Sequence, residues 1–154
     1  MRNNIGALYR DPRFKVEKGE EVSELKKQEF GIRQGCPLSP YLFILVMTVM
    51  FFDIHVNIDE TLEGKKLRNF EESEILYADD TLLVLQEPEA MNELIKQIEI
   101  ESSYYGLRLN KSKCNFLDLN GNNELKFQDG TNLEKAQSVT YLGGVMNQKS
   151  DSKE

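Results

Sequence analysis

A nearly unbroken apolar run at residues 41–52 is the feature that most constrains how this chain can fold. A transmembrane helix needs about 20 apolar residues, so a run of this length predicts a helix buried inside a protein. Ser39 is a suitable N-cap and Pro40 suits the first helical position, so we expect the helix to cover residues 41–57. Because it is apolar on nearly all sides, other elements must cover it, and 154 residues suffice for one such core.

The second constraint is a pair of adjacent carboxylates, Asp79 and Asp80, between strand-like apolar segments at residues 74–76 and 81–85. This pattern predicts a tight β-hairpin with both carboxylates at its tip. Neighbouring carboxylates repel each other, so a site that keeps both charged usually supplies a cation, and Mg²⁺ prefers such oxygen ligands. Most Asp-Asp turns are solvated hairpin tips, so this pair alone is a weak indication of a metal site.

The rest of the chain predicts an α+β fold, with a small antiparallel sheet and helices packed on one face. Residues 13–18 and 22–32 have the pattern of two strands joined at Gly19. Residues 88–105 form an amphipathic helix pattern that ends at Gly106, where a C-cap glycine belongs. Further short strands are expected at residues 107–109, 114–119, 125–127 and 139–142.

Charge is distributed unevenly over a chain whose net charge is −7. Residues 58–102 contain 13 acidic and 4 basic residues, whereas residues 1–36 contain 8 basic and 6 acidic ones. The total argues against strong autonomous nucleic-acid binding, but its distribution leaves a nucleic-acid partner open. No linker divides the chain, so we expect one domain over residues 1–145 and a polar, frayed tail over residues 146–154.

Histidine and cysteine usage argues against several kinds of site. His55 is the only histidine, which disfavours a histidine-based zinc site or a Ser-His-Asp triad, and we expect it at the surface near the helix end. Cys36 and Cys114 lack metal-ligand spacing and are expected to be reduced, packed thiols. The sequence contains no recognisable signal peptide or membrane segment, so we expect an intracellular protein, nuclear or cytoplasmic, with no membrane partner.

A segment rich in glycine and proline, residues 31–43, leads into the apolar helix. Gly35 permits close approach of a ligand to the backbone, and Arg33 and Gln34 provide hydrogen-bond donors beside it. A turn that caps a core helix is the plainer interpretation of such a segment. On these residues alone, both interpretations stay open.

The string Arg33-Gln34-Gly35-Cys36-Pro37-Leu38-Ser39-Pro40 resembles the motif before the catalytic hairpin in reverse transcriptases of the non-LTR retrotransposon and group II intron type. In that family Tyr/Phe-Ala-Asp-Asp follows, and residues 77–80 match it at a fitting separation. Residues 106–114 resemble the family segment after the next helix, in which an Asn and a Lys recur. Residues 141–143 resemble the Tyr-Leu-Gly of the primer-grip region. The resemblance thus extends over about residues 5–145, with four segments in family order.

This resemblance implies a polymerase palm that adds nucleotides to a primer 3′ end with two Mg²⁺ ions, or Mn²⁺ as an alternative. Asp79 would be a direct metal ligand, and Asp80 would ligate or position the metal and the primer end. Lys113 would protonate or stabilise the leaving pyrophosphate, although a plain surface lysine is the alternative interpretation. The implied partners are an RNA template, a DNA primer and deoxynucleoside triphosphates, and the oligomeric state stays open.

The resemblance also implies two groups of binding residues. Those expected to line the incoming nucleotide and the primer–template are Arg33, Gln34, Gly35 and Tyr77. Those expected to form the primer grip are Tyr141, Leu142 and Gly143.

One family feature has no match in this sequence, namely the upstream metal-binding Asp on an apolar strand. Asp11, which is followed by Pro12, is the only Asp before Gly31, and its surroundings do not suit a strand. We therefore expect a partial palm that starts after its first catalytic strand, lacks fingers and thumb segments, and is inactive alone. The alternatives are a non-catalytic, domesticated or decayed binding module for nucleic acid or protein, and an unrelated metal-binding α+β protein.

Overall fold

The computed structural model describes residues 2–29, 31–33, 35–63, 74–119 and 121–148. Helices and short strands alternate along this part of the chain, so the fold is α+β, as predicted. The helices are α1 (Arg2–Tyr9), α2 (Ser39–Glu63) and α3 (Pro88–Tyr104), with a 3₁₀ turn at Lys111–Lys113. The strands are β1 (Arg13–Phe14), β2 (Glu17–Lys18), β3 (Glu21–Val22), β4 (Lys26–Lys27), β5 (Glu74–Tyr77), β6 (Asp80–Leu83), β7 (Asn115–Phe116), β8 (Glu134–Lys135), β9 (Ser138–Tyr141) and β10 (Gly144–Asn147).

The chain divides into two compact units, Met1–Tyr41 and Leu42–Glu154. The first unit contains α1, which the sequence pattern did not predict, and the hairpin expected around Gly19. In that hairpin β1 pairs with β4 and β2 pairs with β3, both antiparallel. Two residues separate the paired segments on the outgoing strand and three on the returning strand, which is the pattern of a β-bulge. Ser23 lies in this bulge, where its backbone N–H and its Oγ both bond the backbone of Val16.

Helix α2 is buried on one face and exposed on the other. Its buried apolar side chains are Met47, Met50, Phe51, Ile54 and Ile58. The exposed apolar side chains of the same helix include Ile44, Leu45, Val49, Phe52 and Val56. The prediction that other elements cover this helix on all sides is therefore wrong within the described residues. Composition identified an apolar helix, but it does not reveal which face finds a partner.

Ser39–Ile58 of α2 is long and apolar enough to span a membrane by length and composition, with a mean hydropathy of 1.9. A core helix passes the same test, and five side chains of this helix lie in the core. One such helix is therefore weak support for a membrane span.

The second unit has a core built from α2 and α3. Leu94 and Ile98 of α3 join the buried face of α2, and Leu83 and Leu85 pack against this cluster from the β6 side. Helix α3 ends as predicted, because Gly106 has a φ of +70° and the N–H of Leu107 bonds the carbonyl of Ser102. A smaller cluster of Ile95, Leu125 and Phe127 packs beside it.

The strands form separate two-stranded ladders in the described residues, not the single small antiparallel sheet that was predicted. Four ladders are antiparallel, but β7 and β8 pair in parallel. Residues 107–109 form no strand, although Leu107 and Leu109 pack against the core as their alternation suggested. Strand β10 extends to Asn147, so the chain stays paired past residue 146, where a frayed tail was expected.

Candidate active site

The two adjacent carboxylates lie at the tip of a β-hairpin, as the sequence predicted. Strands β5 and β6 are antiparallel, and Tyr77 pairs with Asp80 across a two-residue turn of Ala78 and Asp79. Both carboxylates are exposed, and within the described residues neither accepts a hydrogen bond nor forms an ion pair. They are therefore available to an external cation or a polar ligand.

The turn holds Ala78 in an unfavourable backbone conformation. Its φ is +53°, in the left-handed region that costs an L-residue about 1–2 kcal/mol. Such strain is retained only where the surrounding structure fixes the chain, and it concentrates at functional sites. The β5–β6 ladder on both sides of this turn therefore fixes the backbone at the position of the carboxylates.

Contacts on three sides of β5 and β6 fix the hairpin. Leu83 packs against the α2–α3 core, which identifies the core-facing side of the sheet. The carboxylate of Glu74, at the start of β5, lies 3.0 Å from Nε2 of His55 on α2. The hydroxyl of Tyr141 on β9 donates to the carbonyl of Ile75 at 3.1 Å. The hairpin is thus joined to a helix, to the core and to a second hairpin.

His55 has a role that sequence reasoning missed. We expected it at the surface near a helix end, but it is half-buried inside α2 and contacts Glu74. The helix α2 continues six residues past residue 57, its expected end, so His55 does not lie near the end of the helix. A partner 19 residues further along the chain leaves no local pattern that could have revealed the pair.

Side chains alternate across β5, so Tyr77 and Ile75 lie on the face opposite the core. Tyr77 is 60% exposed, which leaves its ring accessible beside Asp80, its cross-strand partner. This placement suits the predicted contact with a nucleotide or primer, and that role stays a prediction.

The hairpin of β9 and β10 carries the predicted primer-grip residues. Its two-residue turn has positive φ at both positions, +50° at Leu142 and +83° at Gly143, as a type I′ turn requires. Tyr141 precedes this turn and reaches the Asp-Asp hairpin through its hydroxyl. The structure therefore brings Tyr141 into contact with the candidate site, while the gripping role stays a prediction.

The two lysines of the 3₁₀ turn have different surroundings. Lys111 pairs with Glu99 at 2.5 Å and Asp129 at 2.8 Å, and it lies 4.7 Å from the centre of the Phe127 ring. Its ammonium, together with bonds from Thr131, holds the pKa of Asp129 well below its usual range, and the bond to Asp129 raises the pKa of Lys111. Lys111 therefore holds the turn to α3.

Lys113, the predicted catalytic lysine, is exposed, and no ion pair engages it within the described part of the chain. Lys111, in the same turn, is fixed by two carboxylates, whereas the ammonium of Lys113 is accessible to an external anion. An exposed position suits both the predicted catalytic lysine and the alternative of a plain surface lysine, so the catalytic role stays a prediction.

The predicted binding turn at Arg33 lies in the first unit. Gly35 has a φ of +81°, and the N–H of Cys36 bonds the carbonyl of Arg33 at 3.2 Å. Gln34, another predicted residue of this group, lies outside the described residues. The turn thus uses the conformational freedom of Gly35, while the close approach of a ligand to its backbone stays a prediction.

Tyr9 fixes the end of this turn at the start of α2. Its hydroxyl lies 3.0 Å from Oγ of Ser39 and 3.5 Å from Sγ of Cys36. The bond from Tyr9 and those from Ser39 lower the pKa of the Cys36 thiol to about 7. Ser39 is buried and belongs to the helix itself, and both cysteines are free and half-buried, as expected.

The residues that could hold a metal ion are Asp79 and Asp80. Their oxygens are the donors that Mg²⁺ prefers, and no protein group competes for them in the described residues. No cluster of three or more potential ligands occurs in that part of the chain. The kind of donor therefore fits Mg²⁺, while the described residues supply two carboxylates.

Comparison with known proteins bears on this site. A model of the reverse transcriptase (RNA-dependent DNA polymerase) family matches residues 4–146. The chain is 28% identical over 160 residues to the retrovirus-related Pol polyprotein from type-1 retrotransposable element R2 of Nasonia vitripennis. That alignment covers 96% of this chain and 15% of the polyprotein. No solved structure matches the chain.

Proposed function

Because the chain belongs to the reverse transcriptase (RNA-dependent DNA polymerase) family, we propose that it supplies the metal-binding hairpin of an enzyme that extends a primer on an RNA template. The R2 relative supports a retrotransposon-type element as its origin. The observation that carries the proposal is the exposed Asp79–Asp80 pair on a strained turn, anchored to α2, the core and β9.

Each residue of the hairpin has a defined task in this proposal. Asp79 and Asp80 would hold Mg²⁺, which activates the primer 3′-hydroxyl and stabilises charge on the leaving pyrophosphate when bound. Tyr77 contacts the primer terminus from the exposed face of β5. Lys113 protonates the leaving pyrophosphate or stabilises its negative charge. Tyr141 positions the hairpin through its bond to the carbonyl of Ile75.

The partners follow from the same family membership. In an intact protein of this family, an RNA template, a primer and deoxynucleoside triphosphates meet at the hairpin, and the reaction takes place inside the cell. Arg33 and Gly35 contact the nucleotide and template pair in this proposal, which is supported by the open space beside the Cα of Gly35. Two Mg²⁺ ions are the expected cofactors, with Mn²⁺ as a substitute.

We expect the 154-residue chain by itself to give no primer extension with Mg²⁺ or Mn²⁺. Two carboxylates bind the ions too weakly without the third that the family resemblance calls for. Denaturing gel analysis of a labelled primer on an RNA template measures this directly. A control polypeptide that adds fingers and thumb segments and an upstream strand with a third carboxylate should extend the primer.

Template-directed extension by the chain alone, lost in Asp79→Asn, would contradict the expected inactivity. Binding of the primer–template without any extension, in the chain and in the extended polypeptide alike, would favour the non-catalytic binding module instead.

A further inference from the structure

A cleft of about 490 Å³ opens in the first unit. Its walls come from the end of α1, strand β4 and the turn that follows it. Three basic residues, Arg10, Lys27 and Arg33, line it, together with one acidic residue, Glu29. Ligand sites in proteins commonly have volumes of about 300–1,000 Å³, so the cleft can hold a group of nucleotide size.

The cations of this cleft differ from others in the same unit. Arg13 pairs with Asp11 at 2.8 Å, and Lys15 pairs with Glu17 at 2.6 Å. Arg10, Lys27 and Arg33 are exposed and form no ion pair within the described residues. Other unpaired lysines occur on the hairpin, for example Lys18, but they do not line the cleft. What sets the three apart is their convergence on one concave surface.

Backbone and side-chain bonds fix the walls of the cleft. The N–H of Gln28 bonds the carbonyl of Pro12 at 2.8 Å, which joins the residue after β4 to the residue before β1. The side-chain amide of Gln28 bonds the carbonyl of Gly31 at 3.3 Å. Pro12 and Gly31, which accept these two bonds, both line the cleft. Gln28 therefore sets the spacing between the segments that carry Lys27 and Arg33.

We propose that the cleft formed by Arg10, Lys27 and Arg33 binds a phosphodiester group of a nucleic-acid strand. Three positive charges against one negative charge favour an anion, and the planar guanidinium groups of two arginines match the oxygens of a phosphate. The choice of nucleic acid among phosphate-bearing ligands rests on the proposed function. The proposal therefore adds Arg10 and Lys27 to Arg33 as phosphate-binding residues, and no sequence motif identified either of them.

The experiment uses the 154-residue chain and a labelled single-stranded RNA, with fluorescence anisotropy recorded from about 25 to 200 mM salt. Arg10→Gln and Lys27→Gln should each weaken binding about fivefold at low salt. Each should also reduce the slope of the logarithm of the binding constant against the logarithm of the salt concentration by about 0.7. Glu29→Gln, which removes the opposing charge, should strengthen binding. Lys18→Gln removes the same charge from the same hairpin outside the cleft and should leave binding within about twofold of wild type.

Two additional probes separate the sources of phosphate. An oligonucleotide with a neutral methylphosphonate backbone should not bind, and a labelled deoxynucleoside triphosphate should bind more weakly than the RNA. Tighter triphosphate binding that is lost in Arg10→Gln would assign the cleft to the nucleotide and overturn the proposal. Equal losses in Lys18→Gln and Lys27→Gln would overturn it too, because binding would then follow net charge alone.

RNA binding is recorded without divalent metal or nucleotide, so a lack of primer extension by the extended polypeptide would count against the proposed function and not against this cleft. Glu134→Gln, which removes one exposed carboxylate on β8, should bind the RNA within about twofold of wild type. Circular dichroism of every variant verifies the fold, and the exposed positions of Arg10 and Lys27 make unfolding an unexpected result. Undiminished RNA binding by a folded Arg10→Gln, Lys27→Gln double variant would overturn the cleft as the binding site.

Discussion

Replacing Asp79 by Asn is expected to lower primer extension about a thousandfold in a polypeptide that joins this chain to fingers and thumb segments and to an upstream strand with a third carboxylate. The substitution exchanges a charged oxygen ligand for a neutral amide of nearly the same size. Asp79 is exposed and bonds no other described residue, so the fold should not change. Metal-assisted stabilisation of charge contributes several kcal/mol to such a reaction, and each 1.36 kcal/mol corresponds to a factor of about ten.

A matched control for this change is Glu134→Gln, which removes one negative charge from an exposed position on β8. It should keep primer extension within about twofold of the parent polypeptide, because a single exposed charge outside the Asp-Asp hairpin is screened by solvent and salt. Single-turnover rates at saturating nucleotide measure both variants. Extension by Asp79→Asn at a rate similar to that of Glu134→Gln would show that the carboxylate does not take part in the chemistry.

Replacing Ile54 by Ala is expected to destabilise the second unit by about 3 kcal/mol. Ile54 is fully buried on α2, in the cluster against which Leu83 of the hairpin packs. The truncation removes buried apolar surface and leaves a cavity that close-packed neighbours cannot fill. A typical domain has about 5–15 kcal/mol of stability in total, so this loss is a large fraction of it. Urea unfolding followed by circular dichroism measures it.

The control on the same helix is Phe52→Ala. Phe52 is a larger apolar residue, but it is 66% exposed, so its truncation should cost less than about 1 kcal/mol. The comparison therefore separates burial from hydrophobicity. A greater loss of stability from Phe52→Ala than from Ile54→Ala would contradict the assignment of the buried face of α2.

Local sequence patterns predicted the elements whose signals lie within one turn or one helix. Asp79 and Asp80 between two apolar segments predicted the hairpin, because turn chemistry and alternation act over a few residues. Gly106 predicted the end of α3 for the same reason, since only glycine adopts a φ of +70° without strain.

Contacts between distant segments could not be predicted in the same way. The pairing of His55 with Glu74 and the bond from Tyr141 to Ile75 join residues 19 and 66 positions apart. Likewise, the alternation of Leu107 and Leu109 correctly indicated a half-buried extended segment. The alternation does not show whether a second strand lies beside this segment to pair with it, and none does within the described residues.

The binding cleft of the first unit also depends on folding. Arg10, Lys27 and Arg33 are scattered over 24 positions of sequence, and only the hairpin and the end of α1 bring them together. The resemblance drew attention to Arg33 alone. A charge count over residues 1–36 suggested a slightly basic segment. Such a count does not show where each side chain lies in the fold, so it cannot tell that Lys27 lines the cleft and Lys18 does not.

The most direct test of the central claim, that Asp79 and Asp80 form a cation-binding turn, is Mn²⁺ titration of the 154-residue chain by NMR. Paramagnetic broadening should appear first at the amides of the Asp-Asp turn and disappear in the Asp79→Asn, Asp80→Asn double variant. Carboxylates already held by cations, such as Asp11 beside Arg13 and Asp129 beside Lys111, should broaden later. Broadening spread evenly over the acidic residues, with no preference for the hairpin, would contradict the claim.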